Sequence, residues 1–202
     1  MSSSLLLQPS SWTPSQKSEF AEEIKFRWSL NARPSQLIPA GDWTVWLIKA
    51  GRGFGKTRCG AEAVRIWKDK YPIIHFVGAT ASDARDIMVE GESGILRCSP
   101  PWDMPKYEPS KRKLTWKNGS HALIFTADEP DRLRGPQCHA AWCDEIAAWR
   151  YGQETWDMLM MGLRLGTDPR VIATTTPRPT TMIKDLLKDP NTRVTSGNNR
   201  GV

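Results

Sequence analysis

A glycine-rich segment that ends in lysine and threonine is the feature that most limits what this chain can fold into. It follows the apolar run Val45–Ile48, which is typical of a strand, and precedes Gly60–Trp67, where apolar residues recur at helical spacing. Glycines let such a loop curl so that several backbone N–H groups point at one centre, and the N-terminus of the next helix adds partial positive charge there. The order of strand, loop and helix therefore predicts a phosphate site. The segment reads Gly51-Arg52-Gly53-Phe54-Gly55-Lys56-Thr57-Arg58.

Lys56 and Thr57 stand where a phosphate-binding P-loop places its two functional side chains. A lysine at the mouth of the loop reaches terminal phosphate oxygens, and the hydroxyl beside it joins the shell of Mg²⁺. The match is incomplete, because the first glycine of the pattern falls on Ala50. The alternative is a glycine-rich turn that happens to precede a lysine. Arg52 is peculiar to this loop and adds a second cation at the same place.

Two adjacent carboxylates, Asp144 and Glu145, follow the small and apolar run Ala140–Cys143. In a P-loop enzyme, the end of such a strand is where Mg²⁺ is held and water is activated. We expect Asp144 to bind the metal, directly or through its water, and Glu145 to act as general base or to orient the attacking water. The alternative is an exposed acidic turn.

Three threonines, Thr174, Thr175 and Thr176, end the apolar run that begins at Val171. Their hydroxyls are candidates to hydrogen-bond the attacking water or the terminal phosphate, although β-branched threonine also simply suits a strand. Upstream of the loop, a proline-containing connector carries Arg33 and Gln36. It is either a segment that packs over an adenine and reads its edge, or an ordinary surface connector.

Strand and helix patterns alternate along the chain, which predicts an α/β fold with a mostly parallel sheet flanked by helices. The carboxyl ends of parallel strands share one edge of a sheet, so the loop, the acids and the threonines should meet there. Asn118-Gly119 between two extended segments predicts a β-hairpin excursion. We expect a loosely ordered arm over residues 1–18, one domain over 19–190 that begins with a helix over 19–30, and a polar tail over 191–202.

Charge and composition add weaker constraints. The net charge of +6 favours a polyanionic partner, and five basic residues cluster at the hairpin, either to track phosphates or to protect a sheet edge. The ten tryptophans are either core residues or platforms for base stacking. No apolar run is long enough for a membrane span, and the cysteines are expected to be buried small hydrophobes. The basic residues are Lys106, Lys111, Arg112, Lys113 and Lys117.

Several ordered motifs between Arg33 and Pro190 resemble the large terminase subunit of tailed bacteriophages. They are the glycine-rich segment, Val89–Gly94, Tyr107–Arg112, Asp131–Gln137, Trp142–Glu145 and Thr174–Pro179. The resemblance implies the ATPase half of a DNA-packaging motor, with a P-loop fold of the ASCE type. It also implies ATP and Mg²⁺ as ligands, and a ring of identical subunits that moves double-stranded DNA through a phage portal into a procapsid. A small terminase subunit is a further partner, and the host bacterial cytoplasm is the implied location.

The same resemblance implies a role for each matching residue. Lys56 and Thr57 would bind phosphate and Mg²⁺, Asp144 and Glu145 would be the Walker B acid and the catalytic glutamate, and Thr174–Thr176 would couple hydrolysis to movement. Gln36 and Arg33 would form the adenine-side segment, and Arg52 would be the P-loop arginine. A ring motor also needs an arginine from a neighbouring subunit, for which Arg134 is the first candidate and Arg85 the second.

The family's large subunit continues into a nuclease domain with a cluster of metal-binding acids. No such cluster follows the third motif here, so nuclease activity is not expected from this chain. Two other functions fit the same motifs. One is a helicase-like DNA-dependent ATPase, and the other is a truncated nucleotide-binding module with little turnover.

Overall fold

An eight-stranded sheet organises the chain, and the computed structural model describes residues 12–197. The strand order is β3-β4-β5-β2-β6-β7-β1-β8. Strands β5, β2, β6, β7, β1 and β8 are parallel, while β3 and β4 pair antiparallel at one edge. The strands are β1 (Val45–Ala50), β2 (Ile73–Gly78), β3 (Lys106–Glu108), β4 (Lys113–Thr115), β5 (His121–Thr126), β6 (Ala140–Cys143), β7 (Arg170–Thr175) and β8 (Thr192–Gly197).

Seven helices cover the sheet or precede it within the described residues, and a π-helical turn, Ala84–Val89, extends the fourth of them. The helices are α1 (Pro14–Lys25), α2 (Trp28–Asn31), α3 (Lys56–Trp67), α4 (Ala81–Asp83), α5 (Ile95–Cys98), α6 (Gly152–Gly162) and α7 (Thr181–Leu186). Across residues 12–197, none of the helices has the length and apolar character needed to cross a membrane. The predicted α/β architecture with a mostly parallel sheet and a hairpin excursion is confirmed.

The core lies on both faces of the sheet because side chains alternate along each strand. In β1, Trp46 and Ile48 point to the face covered by α3 and α5, whereas Val45 and Leu47 point to the face covered by α6 and α7. The interpretation of Trp43, Trp46 and Trp142 as core residues is confirmed, since all three are buried. Cys59 and Cys143 are buried as expected.

Helix α3 packs unusually close to strand β6. Gly60 on α3 faces the indole of Trp142, and a Cβ added at Gly60 would lie 2.1 Å from the indole nitrogen Nε1. Trp142 also makes an edge contact with Phe76, with ring centroids 5.0 Å apart. Only glycine lets the helix approach this far, so Gly60 sets the distance between the helix that begins with Lys56 and the strand that leads to Asp144.

The N-terminal helix differs from the prediction. Helix α1 begins at Pro14 rather than at Glu19, because Thr13 and Gln16 form a reciprocal cap and Pro14 suits the first helical position. It ends at Lys25, and a separate short helix, α2, follows. None of the α1 residues is buried, so the helix contributes no residue to the core. Residues 1–11 of the expected arm lie outside the described residues.

The C-terminal segment also differs. Thr192–Gly197, expected to be part of a polar tail, forms strand β8 and pairs in parallel with β1. Its residues are polar because an edge strand needs no continuous apolar run. Residues 198–202 lie outside the described part of the chain.

Two further predictions from the sequence concern helix α6 and the basic residues of the hairpin. The apolar residues of Trp149–Leu165 predict a mostly buried helix, but Met161 is 69% exposed, because it lies on the outer side of α6 near its end. In the hairpin, Lys111 pairs with Glu108 and Arg112 with Glu129. These ion pairs do not decide between the two predictions for the basic cluster, which are phosphate tracking and protection of a sheet edge.

Replacing Gly60 with alanine should destabilise the fold. The added methyl overlaps the buried Trp142 indole, and overpacking of this kind costs about 2 kcal/mol or more. Urea unfolding followed by circular dichroism measures the loss. Gly152→Ala is the matched control, because its nearest atom lies 3.5 Å from an added Cβ, and it should change the free energy of unfolding by less than about 1 kcal/mol. Equal stability of the two variants would contradict the close-packing interpretation.

Candidate active site

The glycine-rich loop connects β1 directly to α3. Gly53 and Gly55 have φ angles of 78° and 88°, in the left-handed region that favours glycine, and Gly55 is the residue that precedes α3. Ala50, which replaces the first glycine of the P-loop pattern, is a buried strand residue without a positive φ angle. The mismatch therefore does not require a side chain in the left-handed region, and the helix N-terminus opens onto the loop as an anion site requires.

Lys56 lies at the centre of the site. Its ammonium is 3.0 Å from Glu145 Oε1 and donates to the carbonyl oxygens of Ala50, at 3.1 Å, and Gly51, at 3.3 Å. Only 8% of the residue is exposed. Lys56, at the end of the loop after β1, is therefore in direct contact with Glu145, the second acid of the pair after β6.

Glu145 is held by strand β7 through three hydrogen bonds. Its backbone N–H donates to the hydroxyl of Thr174 at 3.0 Å, and its Oε2 accepts from the backbone N–H and the hydroxyl of Thr176 at 3.0 and 3.2 Å. Its φ angle is 49°, a conformation that is uncommon for a residue with a Cβ and that concentrates at functional sites. Thr174 in β7 thus fixes the backbone of Glu145, and Thr176 directly after β7 fixes its carboxylate.

Asp144 is buried and its carboxylate is polarised by the same strand. Thr174 donates its hydroxyl hydrogen to Asp144 Oδ1 at 2.8 Å. Burial raises the pKa of Asp144 from 3.8 to about 6 and the charge of Glu145 adds to this, while the Thr174 hydrogen bond and Lys56 oppose it. Trp149 donates its indole N–H to the Asp144 carbonyl, which ties the acid pair to the segment before α6.

The side chains present suit Mg²⁺ bound together with a nucleotide. Thr57 supplies a hydroxyl in the first turn of α3, and Asp144 supplies a carboxylate at the end of β6. Among residues 12–197, no group of three histidine, cysteine or acidic side chains is placed to hold an ion by itself. This composition fits Mg²⁺, which usually takes one or two protein oxygens and completes its shell with water and phosphate.

Arg33 and Gln36 contact the loop itself. Gln36 donates its side-chain amide to the Phe54 carbonyl at 2.8 Å, and Arg33 donates to the same oxygen at 2.7 Å. The connector therefore contacts the loop, while its predicted role of reading an adenine edge stays a prediction. Of the remaining loop cations, Arg52 is exposed, whereas Arg58 pairs with the buried carboxylate of Glu62 and lies over the Trp28 ring. These two contacts direct the Arg58 guanidinium along α3, and ligand binding by Arg58, as a member of the glycine-rich segment, stays a prediction.

The two candidate trans arginines lie apart from the centre. Arg134 is exposed after the turn that follows β5, and it pairs with Asp131 at 3.4 Å. Arg85 is exposed beside α4 and pairs with Asp86. Neither shows a contact with Lys56 or Glu145 among the described residues, so within one chain neither belongs to the lysine–glutamate centre.

Trp149 was not expected to contribute to the site, and Phe54, a candidate as part of the glycine-rich segment, contributes through contacts that were not expected. Trp149 donates its indole N–H to the Asp144 carbonyl and so positions the acid pair. Phe54 positions the loop, because its carbonyl accepts hydrogen bonds from Arg33 and Gln36. Phe54 was a candidate only as a member of the glycine-rich segment, and Trp149 only as the start of a helix. Neither residue type signals such a role by spacing alone.

A glycine-rich loop after β1, an acid pair after β6 and the strand β7 inserted between them define the class of P-loop NTPase folds. The sequence profile described as terminase large subunit, T4likevirus-type, N-terminal matches residues 47–195, and the chain belongs to this family. A search of curated proteins gives no match.

Solved structures show the same fold at low sequence identity. The large terminase ATPase domain of Thermus phage P74-26 is 16% identical, with a TM-score of 0.61 over 82% of this chain and 80% of that one. The large terminase of a thermophilic bacteriophage, solved in complex with ADP, is 17% identical, with a TM-score of 0.62 over 87% of this chain. This chain covers 44% of the latter protein. The predicted resemblance is confirmed.

Replacing Thr174 with valine should destabilise the site while preserving the shape of the side chain. The change removes the acceptor of the Glu145 N–H and the donor to buried Asp144, and unpaired groups of this kind cost about 2 kcal/mol. Thr174→Ser keeps the hydroxyl and should lose less. Urea unfolding of both variants measures the difference, and equal losses would show that the hydroxyl network does not stabilise the site.

Proposed function

We propose that this chain is the ATP-hydrolysing motor domain of a viral terminase large subunit, which drives double-stranded DNA into a procapsid. The observation that carries the proposal is the contact network of Lys56, Glu145 and Thr176, which joins the ends of three strands at one edge of the sheet. Family membership supports the same function, and so does the fold shared with large terminase ATPase domains.

In this proposal the phosphates of ATP lie along the loop between β1 and α3. Lys56 then turns from Glu145 and the two loop carbonyls to the phosphate oxygens, which compete for the same ammonium. The glycine backbone and the start of α3 supply further N–H donors. The ADP complex of the similar phage terminase supports a nucleotide as the ligand.

Hydrolysis transfers the terminal phosphoryl group from ATP to water. Such reactions depend mainly on positioning and on stabilising charge, rather than on covalent chemistry by the protein. Glu145 orients the attacking water or accepts its proton. Thr176 contributes by holding the Glu145 carboxylate in place with two hydrogen bonds. Release of Glu145 from Lys56 couples the binding of phosphate to the availability of the base.

Thr57 and Asp144 are the residues that hold Mg²⁺ in this proposal. When bound, the ion neutralises charge on the phosphate oxygens. Asp144 sits at the end of a buried strand, and the Thr174 hydroxyl fixes the direction of its carboxylate. Arg52, which is exposed on the loop, adds positive charge near the phosphates.

Arg134 is the proposed arginine that a neighbouring subunit inserts, and Arg85 is the second candidate. Both are exposed, and their acidic partners, Asp131 and Asp86, are exposed as well. Ion pairs between exposed groups contribute little, so either guanidinium can leave its partner at low cost. A ring of identical chains would bring such an arginine to the next subunit's phosphates.

The proposed partners follow from the family. They are double-stranded DNA, further copies of this chain in a ring on the phage portal, and a small terminase subunit, all in the cytoplasm of a host bacterium. The net charge of +6 is consistent with a polyanionic partner. This chain spans 44% of the length of one similar terminase.

Replacing Glu145 with glutamine should abolish turnover but not binding. The amide cannot accept the proton of the attacking water, so we expect steady-state ATP hydrolysis to fall roughly 100-fold or more. Affinity for ATP should be retained or increased, because the variant lacks the carboxylate that competes for Lys56. Glu154→Gln, an exposed change on α6, is the control. Full activity of Glu145→Gln would contradict the assignment, and a wild-type chain that binds ATP without turnover would favour the binding-module alternative.

Mixing two inactive variants tests the trans arginine. Arg134→Ala and Glu145→Gln should each hydrolyse ATP poorly alone, whereas a mixture should recover activity at interfaces that combine an intact Arg134 with an intact Glu145. Steady-state hydrolysis across mixing ratios measures the recovery, and the same mixture with Arg85→Ala in place of Arg134→Ala tests the second candidate. Full activity of Arg134→Ala in the assembled ring would rule this residue out.

A further inference from the structure

Residues outside the glycine-rich loop contact it and hold it in place at Phe54. Its carbonyl oxygen accepts two hydrogen bonds, from Arg33 and from Gln36. Its ring is buried beneath the Arg33 guanidinium, which lies 5.2 Å from the ring centroid. On β8, Gly197 lies so close that an added Cβ would stand 2.3 Å from the same ring. The loop is therefore held by the connector before β1 and by the last described strand.

The Gln36 amide is engaged at both ends in this arrangement. Its Oε1 accepts from the backbone N–H of Arg33 at 2.9 Å, while its Nε2 donates to Phe54. The residue is 8% exposed. An added Cβ at Gly55 would stand 2.8 Å from Gln36 Nε2, so the glycine at this position also makes room for the amide. The contact between the Gln36 amide and the Phe54 carbonyl is therefore part of the loop's own structure.

The segment that carries these two residues is itself fixed to α3. Arg65 donates to the Phe26 carbonyl at 3.2 Å, and Arg58 lies over the Trp28 ring. Both arginines pair with Glu62, a buried carboxylate on α3. Phe26 and Trp28 precede the connector, so these contacts anchor the chain that enters it to the same helix that the loop leads into.

Holding the Phe54 carbonyl has a direct consequence for the next N–H group. The peptide bond between Phe54 and Gly55 is planar and trans, so its C=O and N–H point in opposite directions. With the carbonyl fixed towards Gln36, the Gly55 N–H is fixed away from it. Backbone N–H groups with fixed directions are what a phosphate-binding loop offers an anion.

From this geometry we propose that Arg33 and Gln36 are positioning residues, which clamp the loop at Phe54 and thereby set its affinity for a polyphosphate chain whatever base is attached. The inference rests on the proposed function, in which the loop holds the phosphates of ATP. It differs from the role expected from the sequence, where Gln36 reads the edge of adenine. A base reader affects the choice between nucleotides, whereas a clamp affects every ligand that carries the phosphates.

Affinities for three ligands separate the two roles. The dissociation constants of ATP, GTP and inorganic tripolyphosphate, each with excess Mg²⁺, are measured by calorimetry for the wild-type chain, Gln36→Ala, Arg33→Ala and Arg33→Lys. We expect Gln36→Ala to weaken all three ligands by the same factor, roughly three- to tenfold, as loss of one hydrogen bond to the loop implies. Arg33→Ala should act in the same direction, with partial recovery in Arg33→Lys. Arg27→Ala, an exposed arginine in the same segment that pairs with Glu23, should change none of them.

Three results would overturn the proposal. The first is a Gln36→Ala variant that loses ATP affinity and ATP-over-GTP preference but keeps tripolyphosphate affinity, which identifies a base reader and leaves the proposed function intact. The second is unchanged affinity for every ligand in both Gln36→Ala and Arg33→Ala. The third is a wild-type chain that binds none of the three ligands, which overturns the proposed function together with the clamp. Thermal melting of each variant, and the conservative Arg33→Lys change, separate a loss of loop geometry from a loss of fold.

Discussion

The contact between the Lys56 ammonium and the Glu145 carboxylate is the interaction on which the site depends. It joins the loop after β1 to the acid pair after β6, two strands that are separated in the sheet by β7. Because β7 lies between them, its terminal threonines are placed to bond both acids, Asp144 through Thr174 and Glu145 through Thr176. The low exposure of Lys56 strengthens the attraction relative to a surface pair. Strand order, rather than any single motif, therefore assembles the proposed catalytic centre.

Packing beneath the site maintains this geometry. Gly60 lies one turn after Lys56, and Trp142 lies two residues before Asp144, so their close contact fixes the helix and the strand that carry the two functional groups. On the other side of the loop, Phe54 is held by Arg33, Gln36 and β8. The loop is thus fixed at its helical end by the core and at its tip by the connector. Pre-organised donors of this kind need little rearrangement when charge develops on a ligand.

The sequence predicts the parts of the site that depend on local pattern. Buried strands are continuous apolar runs, so the residues at or just beyond their carboxyl ends can be assigned to one edge of a sheet. Lys56, Asp144 and Thr174 are among these residues. What it does not predict depends on tertiary partners. Strand β8 is polar because it lies at an edge, and α1 begins at a cap formed by Thr13 and Gln16 that precedes any apolar periodicity. The contact of Gln36 with the Phe54 carbonyl joins groups 18 residues apart, and no local pattern specifies it.

A crystal structure of this chain with a non-hydrolysable ATP analogue and Mg²⁺ tests the central claim most directly. We expect the phosphates in the loop between β1 and α3, with Lys56 bonded to phosphate oxygens, its 3.0 Å contact with Glu145 broken, and Thr176 still holding the carboxylate. An analogue bound elsewhere, or bound in the loop with the lysine–glutamate contact unchanged, would contradict the claim that phosphate and Glu145 compete for the same ammonium.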